Sequence, residues 1–365
     1  MDYRGLSGQS AIEYLMTYGW MLLVVAIVGG AIFSMVGDQS IESVSGFDSS
    51  HVNVQDFGIS SENGLSFVMN DPMGQTTVSE LTVSSSDTGN VTYIIHQDIS
   101  QQDVISLPGV VPSDEVGNVD VDITYSSGNL EDISVSGEIT GALEVDQSFK
   151  NREIVLEGLI AYWPLSQQYS EGARVYDLSH NNQHGQKIGE PEFVEEFGHG
   201  EALELDGEGQ AIELETVGLS DDEAWTISMW VQSFEEDNNQ GIIGNSGGST
   251  EQIATWLGGD GYRWRESDAD HDFTVDVGDA EAGDISQPHM ITIAVDPTAQ
   301  YAVGYVNDEF VDEDNEYEGR SLHRVNSLGA GWEGNFWEGR LSDVKIYDRV
   351  LTSEEVERLY RSTIS

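Results

Sequence analysis

Three segments of the 365-residue chain carry side chains whose types and spacing can do chemistry. The first is Glu204-Leu205-Asp206-Gly207-Glu208, an alternation of carboxylates. Two carboxyl groups about 5 Å apart can run retaining glycoside hydrolysis. Gly207 and Gly209, however, make the segment a strand running into a turn, and residues four apart on a strand lie about 13 Å apart. No catalytic residue is assigned. The second is Asp268-Ala269-Asp270-His271-Asp272, which begins like a calcium-binding loop but has Phe273 where such a loop needs glycine, so it reads as a solvated acidic loop. The third is the glycine-rich run from Trp256 to Arg265. Its Trp256, Tyr262 and Trp264 are the expected aromatic platform for a sugar or another ligand, because binding residues concentrate in loops. Trp163, Trp230 and Trp337 are expected to be core instead.

Composition limits the partners. There are 14 Lys and Arg against 66 Asp and Glu, a formal net charge of −52, and lysine occurs only at 150, 187 and 345. Such a chain repels polyphosphate and anionic lipid alike, which excludes nucleic acid as a partner. The balance points to an extreme halophile, since molar salt cuts the Debye length to about 3 Å and screens the self-repulsion. With 38% hydrophobic residues the chain can bury cores, and with no cysteine it has neither disulfides nor thiolate metal sites.

Positioning these segments requires three kinds of element. From Tyr14 to Gly37 the chain carries no charge, and about 22 mostly apolar residues suffice to cross roughly 30 Å of hydrocarbon as a helix. Arg4, the only basic residue before Lys150, keeps the N-terminus cytoplasmic and places the rest outside. The stretch Arg4-Gly5-Leu6-Ser7-Gly8-Gln9-Ser10-Ala11-Ile12-Glu13-Tyr14-Leu15 resembles the class III signal peptide of archaeal type IV pilin-like proteins. The resemblance implies cleavage by a prepilin peptidase after Gly8, a mature chain starting at Gln9, and a retained helix. Glu13 then becomes the fifth residue, and in a filament it meets the α-amine of a neighbouring subunit, the pairing that a carboxylate in lipid needs. Ala11 stands where that family usually has serine. The implied partners are the peptidase, other pilin subunits and the assembly machinery, with the membrane engaged through the helix.

From 38 to 143 the pattern switches to period-two alternation. The apolar positions are Val52 and Val54; Leu65, Phe67 and Met69; Leu81 and Val83; Val91, Tyr93 and Ile95; Val119, Val121, Ile123 and Tyr125; and Ile133 and Val135. Turn signals such as Asn63-Gly64 and Ser127-Gly128-Asn129 separate them, so a small antiparallel sandwich is expected. Its closing part, Val121 to Tyr125 and Gly137 to Gly141, is similar to the end of archaeal pilin β-domains. His51 and His96 read as surface residues, and Asn90-Val91-Thr92 is an N-glycosylation sequon on the exported side. A charged stretch, 144–157, reads as a linker.

The run Gly158-Leu159-Ile160-Ala161-Tyr162-Trp163-Pro164-Leu165 is followed by Val175-Tyr176-Asp177-Leu178-Ser179-His180-Asn181-Asn182-Gln183-His184-Gly185. Three shorter motifs follow: Glu201 to Gly207, Trp225 to Val231, and Tyr305 to Glu309. The last motif runs from Trp337 to Leu351. In this order they resemble laminin-G-like domains of the concanavalin A-like lectin/glucanase superfamily, with Pro288-His289 standing where that family more often has Trp-His. The resemblance implies a structural calcium ion, with Asp177, Asn182 and Asp343 as its ligands, and a glycan or surface-protein ligand. Thr352-Ser353-Glu354-Glu355 followed by Val356, Leu359 and Tyr360 predicts a short capped helix.

The expected molecule is mostly β. It has a leader at 1–8, a transmembrane or pilin helix at 9–37, a β-sandwich at 38–143, a linker at 144–157, and a jelly-roll sandwich at 158–365. The expected function is a minor or adhesive pilin-like subunit at the cell surface, without enzymatic turnover. A permanently anchored glycan-binding protein is the second reading and a surface glycoside hydrolase the third.

Overall fold

A computed structural model describes residues 41–47, 53–60, 64–71, 74–85, 89–99, 103–197, 200–218, 222–234, 240–245, 252–255, 261–265, 273–277, 280, 284–317, 325–331 and 335–364. The expected leader and helix, with Gly8, Gln9 and Glu13, lie outside these residues. Among the described residues no helix is long and apolar enough to cross a membrane.

The middle domain runs β1 (Ile41–Gly46), β2 (Asn53–Ser60), β3 (Gly64–Asn70), β4 (Thr76–Ser85), β5 (Gly89–Ile99), β6 (Asp103–Leu107), β7 (Val110–Ser127), β8 (Leu130–Val145) and β9 (Glu153–Val155). Six of these strands form one sheet in the order β1-β8-β7-β4-β5-β9, and β2-β3-β6 form a second. The alternation seen in the sequence is the reason. Leu65, Phe67, Met69, Leu81, Val83, Val91, Tyr93, Val119, Val121 and Ile123 are all buried between the sheets, and their polar neighbours turn outward. Phe57 packs at 5.6 Å from Phe47 and at 5.3 Å from Phe67, ring centre to ring centre.

Residues 144–157 are not a linker. Glu144 and Val145 end β8, Asp146 caps a short 3-10 turn at Gln147–Phe149, and β9 pairs in parallel with β5 at the sheet edge. Phe149 is 1% exposed. Gly109 makes room for it at φ +87°, since a Cβ there would lie 2.4 Å from the Phe149 ring. Of the charges that make this stretch look solvated, Asp146 and Arg152 are buried, while Glu144 and Lys150 stay exposed.

The C-terminal domain runs β10 (Leu159–Trp163), β11 (Ser170–Glu171), β12 (Arg174–Val175), β13 (Gly185–Ile188), β14 (Glu192–Phe197), β15 (Gly200–Asp206), β16 (Ala211–Val217), β17 (Trp225–Ser233) and β18 (Gly241–Gly244). It continues with β19 (Gln252–Thr255), β20 (Gly261–Arg265), β21 (Phe273–Asp276), β22 (His289–Asp296), β23 (Tyr301–Val306), β24 (Glu309–Asp314), β25 (Val325–Leu328), β26 (Glu338–Tyr347) and helix α1 (Ser353–Thr363). One sheet has the order β14-β15-β26-β17-β22-β23-β24, with β10 also on β26; the other is β11-β12-β13-β16-β25-β18-β19-β20-β21. Trp163, Trp225, Trp264 and Trp337 fill the space between them, fully buried. On β17, Ile227, Met229 and Val231 face this inner core, while Trp230 faces the other way. There it stacks on Tyr360 of α1, with ring centres 5.9 Å apart.

Helix α1 starts at the expected capping box, in which the Thr352 side chain and Glu355 exchange bonds with each other's backbone. It lies against β9 as well as the sheet: Arg358 pairs with Glu153, and the Ser362 hydroxyl donates to the Glu153 carbonyl. The core of the middle domain and the outer face of the C-terminal sheet are consequently one continuous apolar cluster.

Inside the sandwich, His289 is fully buried with its ring centre 5.3 Å from that of Tyr262. Its Nδ1 lies 2.7 Å from the Gln287 carbonyl, so Nδ1 donates and Nε2 is left as an acceptor with no hydrogen-bond partner. Burial pushes the imidazole from 6.5 down to about 4, against weaker upward pulls from the Gln287 carbonyl and Asp284.

Two outcomes follow for stability. Phe149→Ala is expected to cost about 3–5 kcal/mol in urea unfolding, as a core residue does and a linker residue does not. For His289 the folded value lies below the unfolded one, so its contribution is complete above pH 6.5 and declines as the pH falls toward 4. At about 1.4 kcal/mol per unit the whole window removes roughly 3 kcal/mol. Urea midpoints at both ends of the window should therefore differ by less in His289→Gln than in the unchanged chain.

Candidate functional site

Two places collect the side chains singled out above. The first is the joint between the domains, built on a bulge in β26. Asp343 sits at φ +54°, where the pairing of β26 with β17 slips by a residue between Ser228 and Trp230. Aspartate tolerates this left-handed conformation, and the bulge re-aims its side chain. The carboxylate is 3% exposed and meets the middle domain. Its Oδ1 accepts from Arg152 Nη1 at 3.2 Å and from the Tyr162 hydroxyl at 2.6 Å, and its Oδ2 accepts from Lys345 Nζ at 2.6 Å. Arg152 belongs to the turn before β9 and lies over the Phe149 ring, while Lys345 lies over the Tyr162 ring. Burial disfavours the Arg152 cation, but Asp343, Tyr162 and Asp146 outweigh it and hold its pKa above the ordinary value. Burial also lowers the Lys345 ammonium, with Asp343 pulling the other way. Beside them Asp146 accepts the Tyr169 hydroxyl at 2.6 Å.

Asp177 organises the loop after β12. Its four acceptor positions take the backbone N–H groups of Tyr162, Ser179 and Gln183 and the Ser179 hydroxyl, at 2.7 to 2.9 Å. Asn182 is exposed and donates to the His180 carbonyl. Asp177, Asn182 and Asp343 therefore do not form the expected calcium site. Both carboxylates are saturated by N–H and O–H donors, and Asp343 carries two cations where an ion would need bare oxygen. Among the described residues, no other group of three His, Asp or Glu is placed to hold a metal ion.

The second place is an open groove of about 830 Å³ on the outer face of the nine-stranded sheet, lined by residues of β11, β12, β13, β16 and the loop before β13. Arg174 on β12 is opposite Gln186 on β13, and Gln186 is opposite Glu213 on β16. All three are exposed, so they form a row of donor, amide and acceptor across three strands. Beside the row, Tyr176 and His184 meet edge to face at 5.5 Å, with the Arg174 guanidinium over the Tyr176 ring. The Tyr176 hydroxyl donates to Glu171, and the Asp177 N–H donates to His184 Nδ1, which puts the neutral ring's proton on Nε2. Glu215 and Asn182 complete the rim.

The expected aromatic platform is corrected by burial. Tyr262 and Trp264 are fully enclosed between the sheets, where Trp264 packs edge-on against Trp225 at 4.6 Å. Residues two apart on a strand share a face, and here that face is the core. Trp256 lies outside the described residues. The carboxylate alternation is likewise engaged: Glu204 pairs with Arg340 at 2.8 Å, and Asp206 accepts the Glu208 N–H in the turn. Asn90 of the sequon is exposed near the start of β5.

A family model, Laminin_G_3 of the concanavalin A-like lectin/glucanases superfamily, matches residues 206–357. No curated protein matches the chain. Among solved structures, the binding domain of Paraclostridial Mosquitocidal Protein 1 is 19% identical with a TM-score of 0.43, over 56% of this chain and 52% of that one. Domain 4 of AbnA, a GH43 extracellular arabinanase from Geobacillus stearothermophilus solved with arabinotriose, is 17% identical with a TM-score of 0.43, over 55% of this chain and 98% of that one. The ligand binding domain of Botulinum neurotoxin serotype D, solved with N-acetylneuraminic acid, is 15% identical with a TM-score of 0.43, over 56% and 51%. The chain thus spans about half the length of the two toxin structures. Residues 206–357 thus match the concanavalin A-like lectin/glucanases superfamily, within a C-terminal region built of two packed sheets.

Proposed function

We propose that the chain is a cell-surface adhesive subunit of the archaeal pilin-like kind, whose C-terminal domain takes a glycan, or a glycan-bearing surface protein, in the groove between Arg174 and Glu215. The observation that carries the binding half of this reading is the row Arg174, Gln186 and Glu213 beside the Tyr176 and His184 rings. A sugar offers hydroxyls that both donate and accept, along with C–H faces that rest on rings. An open groove with alternating donors and acceptors next to an aromatic edge meets both demands. In this reading nothing is turned over, because Glu204 is held by Arg340 and Asp206 by its own turn.

The display half rests on the sequence. Prepilin peptidase cuts after Gly8, and the helix at 9–37 holds the subunit in the membrane or in a helix bundle of pilin subunits, with Glu13 paired to a neighbour's Gln9 amine. The β domains then stand outside the cell, in molar salt, with Asn90 open to glycosylation. Many copies convert modest single-site affinity into avidity. A subunit kept permanently as an anchor is the second reading.

Two measurements test the halves separately. Mass spectrometry of the native protein's N-terminal peptide is expected to give a start at Gln9; a start upstream of Gly8 leaves a fixed anchor and removes the pilin role. Screening the chain on a glycan array, then titrating the best binder, is expected to show at least a tenfold loss of affinity in Gln186→Ala with Glu213→Ala and no change in Tm. Unchanged affinity in that variant would move the ligand out of this groove.

A further inference from the structure

We infer that the positive charge that the C-terminal domain needs at Asp343 comes from within the chain, from Lys345 and from Arg152, so that docking of the middle domain takes the place of a divalent ion and the joined domains hold without calcium. The inference is independent of the ligand proposed for the groove.

Charge and donor geometry carry it. Asp343 and Asp146 bring two negative charges into the joint, and Lys345 and Arg152 bring two positive ones, all four side chains being buried. The cluster is neutral as it stands, so a divalent ion would add two uncompensated charges in a place cut off from water. The distances describe a finished set: ammonium, guanidinium and phenol each reach a carboxylate oxygen at 2.6 to 3.2 Å. Asp177 offers no alternative seat, since its own four donors occupy it. One of the two cations is not the domain's own. Arg152 is 191 residues away from Asp343 and belongs to the turn that leads into β9 of the neighbouring sheet. Lys345 and Tyr162 belong to the C-terminal domain, so the donor set of the carboxylate is complete only when the two domains are in contact.

The test uses the full-length chain in detergent at constant high ionic strength, followed by thermal unfolding in EDTA and in calcium chloride. The unchanged chain is expected to keep its Tm within about 2 °C between the two, and Arg152→Met is expected to lower it by about 5 °C or more, beyond the effect of Arg358→Met at an exposed pair. A calcium-induced rise that persists in Asp343→Asn arises on the acidic surface and leaves the inference standing. A rise that vanishes in Asp343→Asn, with about one ion bound per chain in a calorimetric titration, overturns it. So does an Arg152→Met variant no less stable than Arg358→Met.

Discussion

A chain with 66 acidic and 14 basic residues has few cations to place, and two of them meet on one buried carboxylate where its two halves join. A charge left alone in a low-dielectric interior costs several kcal/mol, whereas a charge with its partners and hydrogen bonds in place is tolerated. Around Asp343 the partners come from β26 itself and from the turn before β9. The aromatic rings of Phe149, Tyr162 and Tyr169 close the space around them, with Phe149 at 6.1 and 5.7 Å from the two tyrosines. Other basic residues lie along the same seam: Arg349 pairs with Glu157 and Glu355, and Arg358 with Glu153 and Glu354. The middle domain has no Lys or Arg between 38 and 149, so its share of this seam is acidic apart from Lys150 and Arg152.

That seam explains why the fold was legible in the sequence and the joint was not. Period-two alternation marks a strand because one face of each sheet is dry, and the buried set in β3, β4, β5 and β7 is the set that the pattern picks out. The capping box at Thr352 is equally local. Charge in the stretch 144–157 carries the opposite message, since Lys150, Arg152, Glu153 and Glu157 read as solvated, and the carboxylate that takes Arg152 inside lies 191 residues away. The bulge at Asp343 leaves no sequence mark either, because aspartate is ordinary on an acidic surface.

The candidate site divides in the same way. Tyr262 and Trp264 stand two apart with arginine between them, which was the available sign of a shared inner face, and the surrounding glycines obscured it. The groove was missed because it exists only across strands. Arg174, Gln186 and Glu213 become neighbours through the register of β12, β13 and β16, and no spacing along the chain announces that. Tyr176 and His184 were visible as part of a family motif, yet their edge-to-face contact depends on the loop that Asp177 holds.

The order of strands has a consequence for how the molecule is made. β26 is an interior strand of its sheet, flanked by β15 and β10 on one side and β17 on the other, yet it is the last strand among the described residues. Pairs such as Leu203 with Leu341 close loops of well over a hundred residues, and contacts of that kind form late. Until that strand has left the ribosome the sheet stays split, and one edge of β17 has no neighbour. A polypeptide arranged in this way completes its C-terminal sandwich only once that strand has been delivered, well after the strands of the middle domain are all present.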